Sequence, residues 1–124
     1  MALAKLAAAR KKLGLKSGAL QIVFVTIDPE RDTQKQLREY TSQFDATIVS
    51  IRENQQELHA LAAAFRVYFS QNPGAATVDH SDLIYLVDCG GIARIAETAR
   101  STADDISRDV DLMARSPSCI FKTL

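Results

Sequence analysis

The amino-acid sequence predicts a single α/β domain whose helices pack on a mixed β-sheet. Helical and strand patterns alternate along the first two-thirds of the chain, and two strand patterns then follow one another across a glycine-rich turn. Alternation is typical of parallel strands joined through helices, whereas a hairpin adds antiparallel strands to the sheet. The predicted order is helix, strand, helix, short strand, helix, hairpin and helix.

The composition is that of a globular domain. The chain has 124 residues, 47% of them hydrophobic and 24% charged, and its 15 basic residues balance 15 acidic ones. These values argue against a disordered or fibrous chain. A neutral chain also lacks the basic surface of a nucleic-acid binder, so we expect no nucleic-acid partner. No apolar run approaches the ~18 residues that a membrane span needs.

The first two elements are a helix and a strand. Apolar residues at helical spacing predict a helix over 2–13, which ends at Gly14, where glycine readily adopts a left-handed cap. The first acidic residue is Asp28, so the opening segment is purely basic. A transit peptide or a membrane-surface helix is therefore the alternative interpretation. The run Leu20 to Ile27 is apolar on both faces and predicts a buried, parallel strand.

Two further helices and a short strand complete the first half. A helix can begin at Thr33 with Gln36 as its capping-box partner and run to about Phe44. A short strand follows at Thr47–Ile51, and the next helix starts near Asn54. Apolar residues at helical spacing predict the inner faces of the two helices: Leu37, Tyr40 and Phe44 in one, and Leu58, Leu61, Ala62 and Phe65 in the other.

A loop and a hairpin follow. The segment Ser70 to Val78 contains Asn-Pro-Gly and is predicted to be a loop. Leu83–Val87 and Ile92–Ala96 are apolar strands, and Cys89 to Gly91 joins them as a tight hairpin.

The last helix and the tail end the chain. The helix is predicted to start near Thr102, with Asp105 three residues later, and to run to about Met113. We therefore expect one domain over residues 1–116 and an irregular tail over 117–124.

The chain has two cysteines, Cys89 and Cys119, which stand 30 positions apart. This spacing predicts neither a disulfide framework nor a zinc site. We interpret Cys89 as a turn thiol, with a reactive or intermolecular thiol as the alternative. Thiol–disulfide chemistry needs a cysteine of lowered pKa, typically at a helix start, and neither cysteine lies at one. We therefore do not expect an enzyme, and a thiol–disulfide oxidoreductase is the minor alternative.

Two motifs resemble those of the SCO/SenC family. They are the run Val23 to Thr33, which contains Asp-Pro-Glu-Arg-Asp-Thr, and the run Val78 to Ser81, which reads Val-Asp-His-Ser. The segment Ile84 to Asp88 supports the resemblance, which covers the chain from the first helix to about Met113. It implies a thioredoxin-like, three-layer fold and the function of a copper chaperone in cytochrome c oxidase assembly.

The resemblance also implies a copper site of which one ligand is present. Family members hold copper through two cysteines of a Cys-x-x-x-Cys motif and one distant histidine, which falls on His80 here. The cysteine pair has no counterpart, and the family places it on a strand and turn directly before the first helix. We therefore expect a truncated domain with an incomplete copper site that binds copper weakly or not at all. A hydrogen-bonded structural histidine is the alternative for His80.

Asp28 and Asp32 are further candidates, because they lie in the first motif after a strand end. We expect them to orient the loop near the metal-site end of the domain. The alternatives are a strand-ending Asp-Pro turn for Asp28 and a favourable charge at a helix N-terminus for Asp32.

The strand that the family carries before the first helix would lie between the strands at Leu20–Ile27 and Leu83–Val87. Without it, both strands would show unpaired backbone groups, each costing about 1–3 kcal/mol if buried. We therefore expect a chain of marginal stability. Its two strands either close up and pair directly, or take up a strand of another chain, or associate with another copy through exposed strand edges. The remaining alternative is that the chain is a fragment of a longer protein.

The resemblance also bears on partners and compartment. It implies the copper-bearing subunit of cytochrome c oxidase or another assembly factor as partner, with a metal-free interaction domain as the alternative function. Family members are membrane-anchored in the periplasm or in the mitochondrial intermembrane space. The sequence contains no recognisable signal or transmembrane segment, so it leaves the compartment of this chain open.

Overall fold

A computed structural model describes residues 2–14, 18, 20–70, 79–80 and 84–115. Its described elements, in chain order, are α1 (Ala2–Leu13), β1 (Val23–Val25), α2 (Gln34–Ser42), β2 (Val49–Ile51), α3 (Gln55–Phe65), β3 (Phe69–Ser70), β4 (Asp79–His80), β5 (Ile84–Val87), β6 (Ala93–Glu97) and α4 (Ala103–Ala114). The chain divides into two compact units. The central unit is Gln21–Ser81, and the terminal unit combines Met1–Leu20 with Asp82–Leu124.

The central unit contains a parallel pair of strands packed on a helix. Strands β1 and β2 run parallel, with Val23 opposite Val49 and Val25 opposite Ile51. On one face, Phe24 of β1 lies against Tyr40 of α2, with ring centroids 6.0 Å apart. The buried side chains that complete the core of this unit are Ile22, Thr26, Leu37, Thr41, Ile48 and Leu58.

Strand β1 is shorter and more exposed than the sequence predicts. Only Val23–Val25 pairs, instead of the whole run Leu20–Ile27, because β2 offers only three partner residues. The side chains of Val23 and Val49 are 49% and 46% exposed. The prediction that apolar residues bury both faces of this strand is therefore wrong for the face that carries these two valines.

Local capping sequences determine where the helices of the central unit begin. Thr33 caps α2 and forms the predicted capping box with Gln36. The helix ends at Ser42, two residues before the predicted end, and Tyr40 is 42% exposed where the helical pattern predicts an inner position. Asn54 caps α3, whose Leu58 is buried as predicted.

Strands β3 and β4 form a second, antiparallel pair in the central unit. Phe69 pairs with His80, and Ser70 pairs with Asp79. The sequence pattern predicts no strand in either segment. The predicted loop Ser70–Val78 lies, apart from Ser70, outside the described residues.

The terminal unit packs two helices with a hairpin. Helix α1 covers the predicted residues and is followed by Gly14 at φ +57°, a left-handed conformation that suits glycine. Helix α4 starts after Thr102, which forms the expected capping box with Asp105. The core of the unit joins α1, β5 and α4 through Ala9, Leu86, Ile106 and Val110.

The predicted hairpin is present as β5 and β6. The strands are antiparallel, with an irregularity between Leu86 and Val87. The turn is held by Asp88, whose Oδ1 accepts the backbone N–H groups of Gly90 and Ile92 and whose Oδ2 lies 2.7 Å from Nε of Arg94. The Arg94 hydrogen bond, followed by the bonds from Ile92 and Gly90, lowers the pKa of Asp88 despite some desolvation. The predicted tail 117–124 lies outside the described residues.

Candidate functional site

The loop after β1 carries the first motif and is closed by its own hydrogen bonds. The carbonyl oxygen of Asp28 accepts the N–H groups of Arg31 and Asp32, at 3.2 and 3.1 Å. The Arg31 guanidinium also lies 3.2 Å from Oδ2 of Asp28. This turn brings the two aspartates of the motif to one end of the parallel strand pair.

Thr26 links both aspartates from inside the central unit. This residue is 3% exposed. Its hydroxyl donates to Oδ2 of Asp32 at 2.5 Å and accepts the N–H of Asp28 at 3.0 Å. Both capacities of the buried hydroxyl are thus satisfied by the loop, which fixes the Asp32 carboxylate against the end of β1.

Arg52 fixes the same loop from the neighbouring strand. It directly follows β2, and its Nε donates to the carbonyl oxygens of Pro29 and Asp32, both at 2.7 Å. No motif or pattern in the sequence singles out this residue. The available signal was its place immediately after a strand parallel to β1, since the carboxyl ends of parallel strands meet at one edge of a sheet.

An open groove of about 380 Å³ lies beside this loop in the central unit. Its lining side chains are Phe24, Arg31, Asp32, Gln36, Leu37 and Tyr40. The groove is lined by apolar Phe24 and Leu37 as well as by polar side chains, so the fixed carboxylate of Asp32 borders a partly apolar surface.

His80, the predicted metal ligand, lies on β4 of the same unit. Its backbone pairs with Phe69. The His80 side chain lies outside the described part of the structure. The structure therefore brings Asp28 and Asp32 together through Thr26, and it places His80 at a strand position only.

The described donor groups do not complete a Cu(I) site. Cys89 is disulfide-bonded, and Cys119 lies outside the described residues. Cu(I) prefers thiolate sulfur, which a disulfide does not supply. In the ranges 2–14, 20–70 and 84–115, no three side chains of His, Cys, Asp or Glu are grouped so that they could hold a metal ion.

The disulfide corrects the interpretation of Cys89 as a turn thiol. Cys89 lies in the exposed β5–β6 turn, where its sulfur can meet a second cysteine. Separation along the sequence does not limit such a bond, because pairing depends on the distance between Cβ atoms in the fold.

His59 has no assigned role and lies exposed on α3. Within the described residues, no helix combines the length and the apolar character required to cross a membrane.

Comparison with known proteins identifies related sequences. A family model described as SCO1/SenC matches residues 1–114. Protein SCO1 homolog 1, mitochondrial, of Arabidopsis thaliana is 36% identical over 89 residues, which cover 68% of this chain and 27% of that protein. The human Protein SCO1 homolog, mitochondrial, is 34% identical over 73 residues, covering 56% of this chain and 24% of the relative. The chain thus spans about a quarter of the length of these relatives.

Solved structures show the same fold. The crystal structure of Arabidopsis thaliana ScoI with copper bound superposes with a TM-score of 0.80 at 30% identity, covering 91% of this chain and 73% of that one. Yeast Sco1 gives a TM-score of 0.78 at 32% identity, with coverages of 89% and 71%. These similarities confirm the predicted α/β, thioredoxin-like fold class.

Proposed function

The chain belongs to the SCO1/SenC family, and we propose that it is a copper-chaperone domain for cytochrome c oxidase assembly whose copper site is incomplete within residues 1–124. The match over residues 1–114 carries this proposal, because it includes both motifs that the resemblance rests on. Copper is the cargo of such a domain. Its partner would be the copper-bearing subunit of the oxidase or another assembly factor.

We assign His80 the role of the imidazole ligand. The assignment rests on its place in Val-Asp-His-Ser, the second motif. Two thiolates and an imidazole suit Cu(I), whereas an imidazole alone does not retain it. Since the sequence has no Cys-x-x-x-Cys pair and Cys89 is disulfide-bonded, the 124 residues should bind Cu(I) weakly.

Asp28 and Asp32 would orient the loop at the site rather than bind the metal. The hydrogen bonds from Thr26 and Arg52 support this role, because they hold the loop from two neighbouring strands. A loop fixed in this way presents one surface to a partner at little cost in conformational entropy.

Binding and delivery fit the chain better than catalysis. Cys89 lies in a hairpin turn rather than at a helix N-terminus, where thiol pKa values are lowered. Its disulfide also favours an oxidising compartment, since cytosolic proteins rarely keep such bonds. The names of the relatives, which call them mitochondrial, agree with this. We therefore place the chain outside the cytosol, in the intermembrane space or its bacterial equivalent.

A copper titration tests the proposal. Cu(I) is titrated against a competing chelator into the 124-residue chain and into a version extended before Met1 by a strand and turn with Cys-x-x-x-Cys. We expect weak binding by the chain and one tightly bound Cu(I) per molecule of the extended protein. In the extended protein, His80→Ala should weaken binding by about tenfold or more, equivalent to at least ~1.4 kcal/mol.

His59→Ala is the matched control, because His59 is an exposed histidine in the same unit. Equal affinities of the His80→Ala and His59→Ala extended proteins would contradict the ligand role of His80. A tight, one-to-one Cu(I) site in the unextended chain, lost with His80→Ala, would contradict the incomplete site.

A further inference from the structure

The end of the β5–β6 hairpin carries a disulfide-bonded cysteine and two exposed apolar side chains. Cys89 lies in the exposed turn, and its sulfur is disulfide-bonded. Val87, at the end of β5, is 45% exposed, and Ile92, directly before β6, is 52% exposed. Apolar side chains that lie together at a surface indicate a contact site, and the disulfide shows that another segment is attached here.

The turn that carries Cys89 is held in one conformation. One carboxylate oxygen of Asp88 accepts the N–H groups of Gly90 and Ile92, and the other binds Arg94. The sulfur of Cys89 is therefore presented at a defined place, which lowers the conformational entropy lost when a second cysteine bonds to it.

The number of cysteines identifies the second sulfur. The structure contains one chain, and its sequence contains one further cysteine, Cys119. Cys119 lies outside the described residues. Within a single chain, Cys119 is thus the one cysteine with which Cys89 is able to pair.

Helix α4 leads the chain back toward the hairpin turn. Strand β6 extends about 16 Å away from that turn. The chain then bends, with the N–H of Ser101 donating to the oxygen of Thr98 at 3.0 Å. Helix α4 has 12 residues and extends over about 18 Å. Its Val110 belongs to the core cluster of Leu86, and Met113 packs against that cluster, so the end of α4 lies at the hairpin.

The distances along the chain allow the bond. Leu86 is three residues before Cys89, and Arg115 is four residues before Cys119. Extended segments of this length span up to about 10 and 14 Å. The Cα atoms of a disulfide lie within about 7 Å of one another. A tail that leaves α4 beside the core cluster of Leu86 therefore reaches the hairpin turn.

The sequence of the tail suits the surface at the end of the hairpin. Pro117 follows α4 closely and prevents the helix from continuing through the tail. Ile120 and Phe121 directly follow Cys119. A bond at Cys119 would thus bring two large apolar side chains to the exposed apolar residues beside Cys89.

We infer that Cys89 and Cys119 of one chain form a disulfide that holds the tail, residues 117–124, on the end of the β5–β6 hairpin. Ile120 and Phe121 then cover Val87 and Ile92. The bond joins residues 30 positions apart. It encloses β6 and α4 in a covalent loop and stabilises the terminal unit by restricting the unfolded chain.

The bond forms by oxidation of two thiols. A small-molecule disulfide, such as glutathione disulfide, accepts the electron pair: its S–S bond breaks, the bond between the two cysteines forms, and the two thiol protons are transferred to the two glutathione thiols that are released. The reaction involves no copper, so its outcome does not depend on the proposed function.

Peptide mapping of the full chain, oxidised with glutathione disulfide and digested with trypsin without reductant, tests the pairing. We expect the peptide 67–94 joined to the peptide 116–122. The intact oxidised chain should be a monomer that is lighter than the reduced chain by two hydrogen atoms. A disulfide between Cys89 residues of two chains, or two free thiols after oxidation, would overturn the inference.

The effective concentration of the two thiols, measured in glutathione redox buffers, tests the docking of the tail. A flexible tail gives an effective concentration of about 1 mM, whereas a docked tail should give a value about tenfold or more above this. The double variant Ile120→Ser/Phe121→Ser should lower the value by about tenfold, and Ile92→Ser on the hairpin should lower it in the same direction.

Leu112→Ser is the matched control, because Leu112 is an exposed apolar residue on α4 of the same unit. Its effective concentration should equal that of wild type. Equal values for wild type, the tail variant and Ile92→Ser would overturn the docking of the tail on the hairpin, even with the disulfide present.

Discussion

Thr26 shows how one buried hydroxyl can organise a functional loop. Thr26 is nearly inaccessible to solvent, and both hydrogen bonds of its hydroxyl go to the loop that contains Asp28 and Asp32. Arg52 adds two bonds to the backbone of the same loop. These contacts converge on a motif that the sequence already marks as a candidate site.

The sequence identifies the aspartates of this loop but not their partners. Asp28 and Asp32 stand out because they follow an apolar strand within a recognisable motif. Thr26 looks like one more β-branched strand residue, and Arg52 like one more surface cation. Their roles depend on the distance between side chains at adjacent strand ends, which a single sequence does not contain.

Thr26→Val should destabilise the chain by about 1–3 kcal/mol, because it keeps the shape of the side chain but leaves the Asp32 carboxylate and the Asp28 N–H without their buried partner. Urea unfolding at neutral pH measures the loss. Thr47→Val is the control, since exposed Thr47 also donates to a nearby aspartate, Asp45, at 2.6 Å. A loss for Thr26→Val no larger than for Thr47→Val would show that the loop does not depend on the buried hydroxyl.

At the scale of elements, helix starts are predictable and strand lengths are not. The capping boxes at Thr33 and Thr102 involve residues three positions apart, so the sequence alone specifies them. Strand length depends on what pairs with the strand. The run Leu20–Ile27 is long and apolar, yet β1 extends only over the three residues that β2 can match.

The same reasoning explains the missed strands. Segments β3 and β4 have two residues each, too few for a period-two pattern to be seen in the sequence. These strands form because the two segments pair across the intervening residues, and no local sequence pattern indicates that pairing.

Helix packing in the terminal unit depends on Ile106, which is fully buried on α4. Ile106→Ala should cost about 2–5 kcal/mol, because it removes buried methyl groups and leaves a cavity between α4 and its neighbours. Leu112→Ala on the same helix removes a side chain that is 58% exposed and should change stability by about 0.5 kcal/mol or less. Thermal and urea unfolding of the two variants measure the difference. Similar losses would mean that α4 does not pack through the face assigned here.

For the whole molecule, the fold class follows from the order of elements, but the pairing of strands does not. The described strands form three separate ladders of two strands, one parallel and two antiparallel. Sequence alternation predicts both kinds of pairing. It does not indicate which strands find a partner on each side, because that depends on contacts across the whole chain.

Strand β1 has partners on one side in the described structure. The oxygen of Ile22 accepts from Val49 at 3.0 Å, and the N–H of Thr26 donates to Ile51 at 3.2 Å, so the even-numbered residues face β2. The backbone groups of Val23 and Val25 therefore point away from β2, since successive residues of a strand alternate. With Val23 half exposed, this edge is able to accept a further strand.

We therefore expect the chain to associate with itself through the β1 edge, so its apparent mass in sizing experiments should rise with protein concentration. Val23→Lys places a charge on that edge and should reduce the association. Val49→Lys is the matched control: this valine is equally exposed, but its N–H is bonded to Ile22, so its backbone does not belong to the β1 edge. The measurement is repeated with reductant, because a disulfide between chains would also raise the mass. If both variants weaken the association equally, the chains associate through the sheet face that carries Val23 and Val49 instead of through the β1 edge. The chain could instead stay monomeric at every concentration and unfold in one cooperative transition of ordinary stability. That result would show that the β1 edge needs no partner and that the stability of the isolated chain is not marginal.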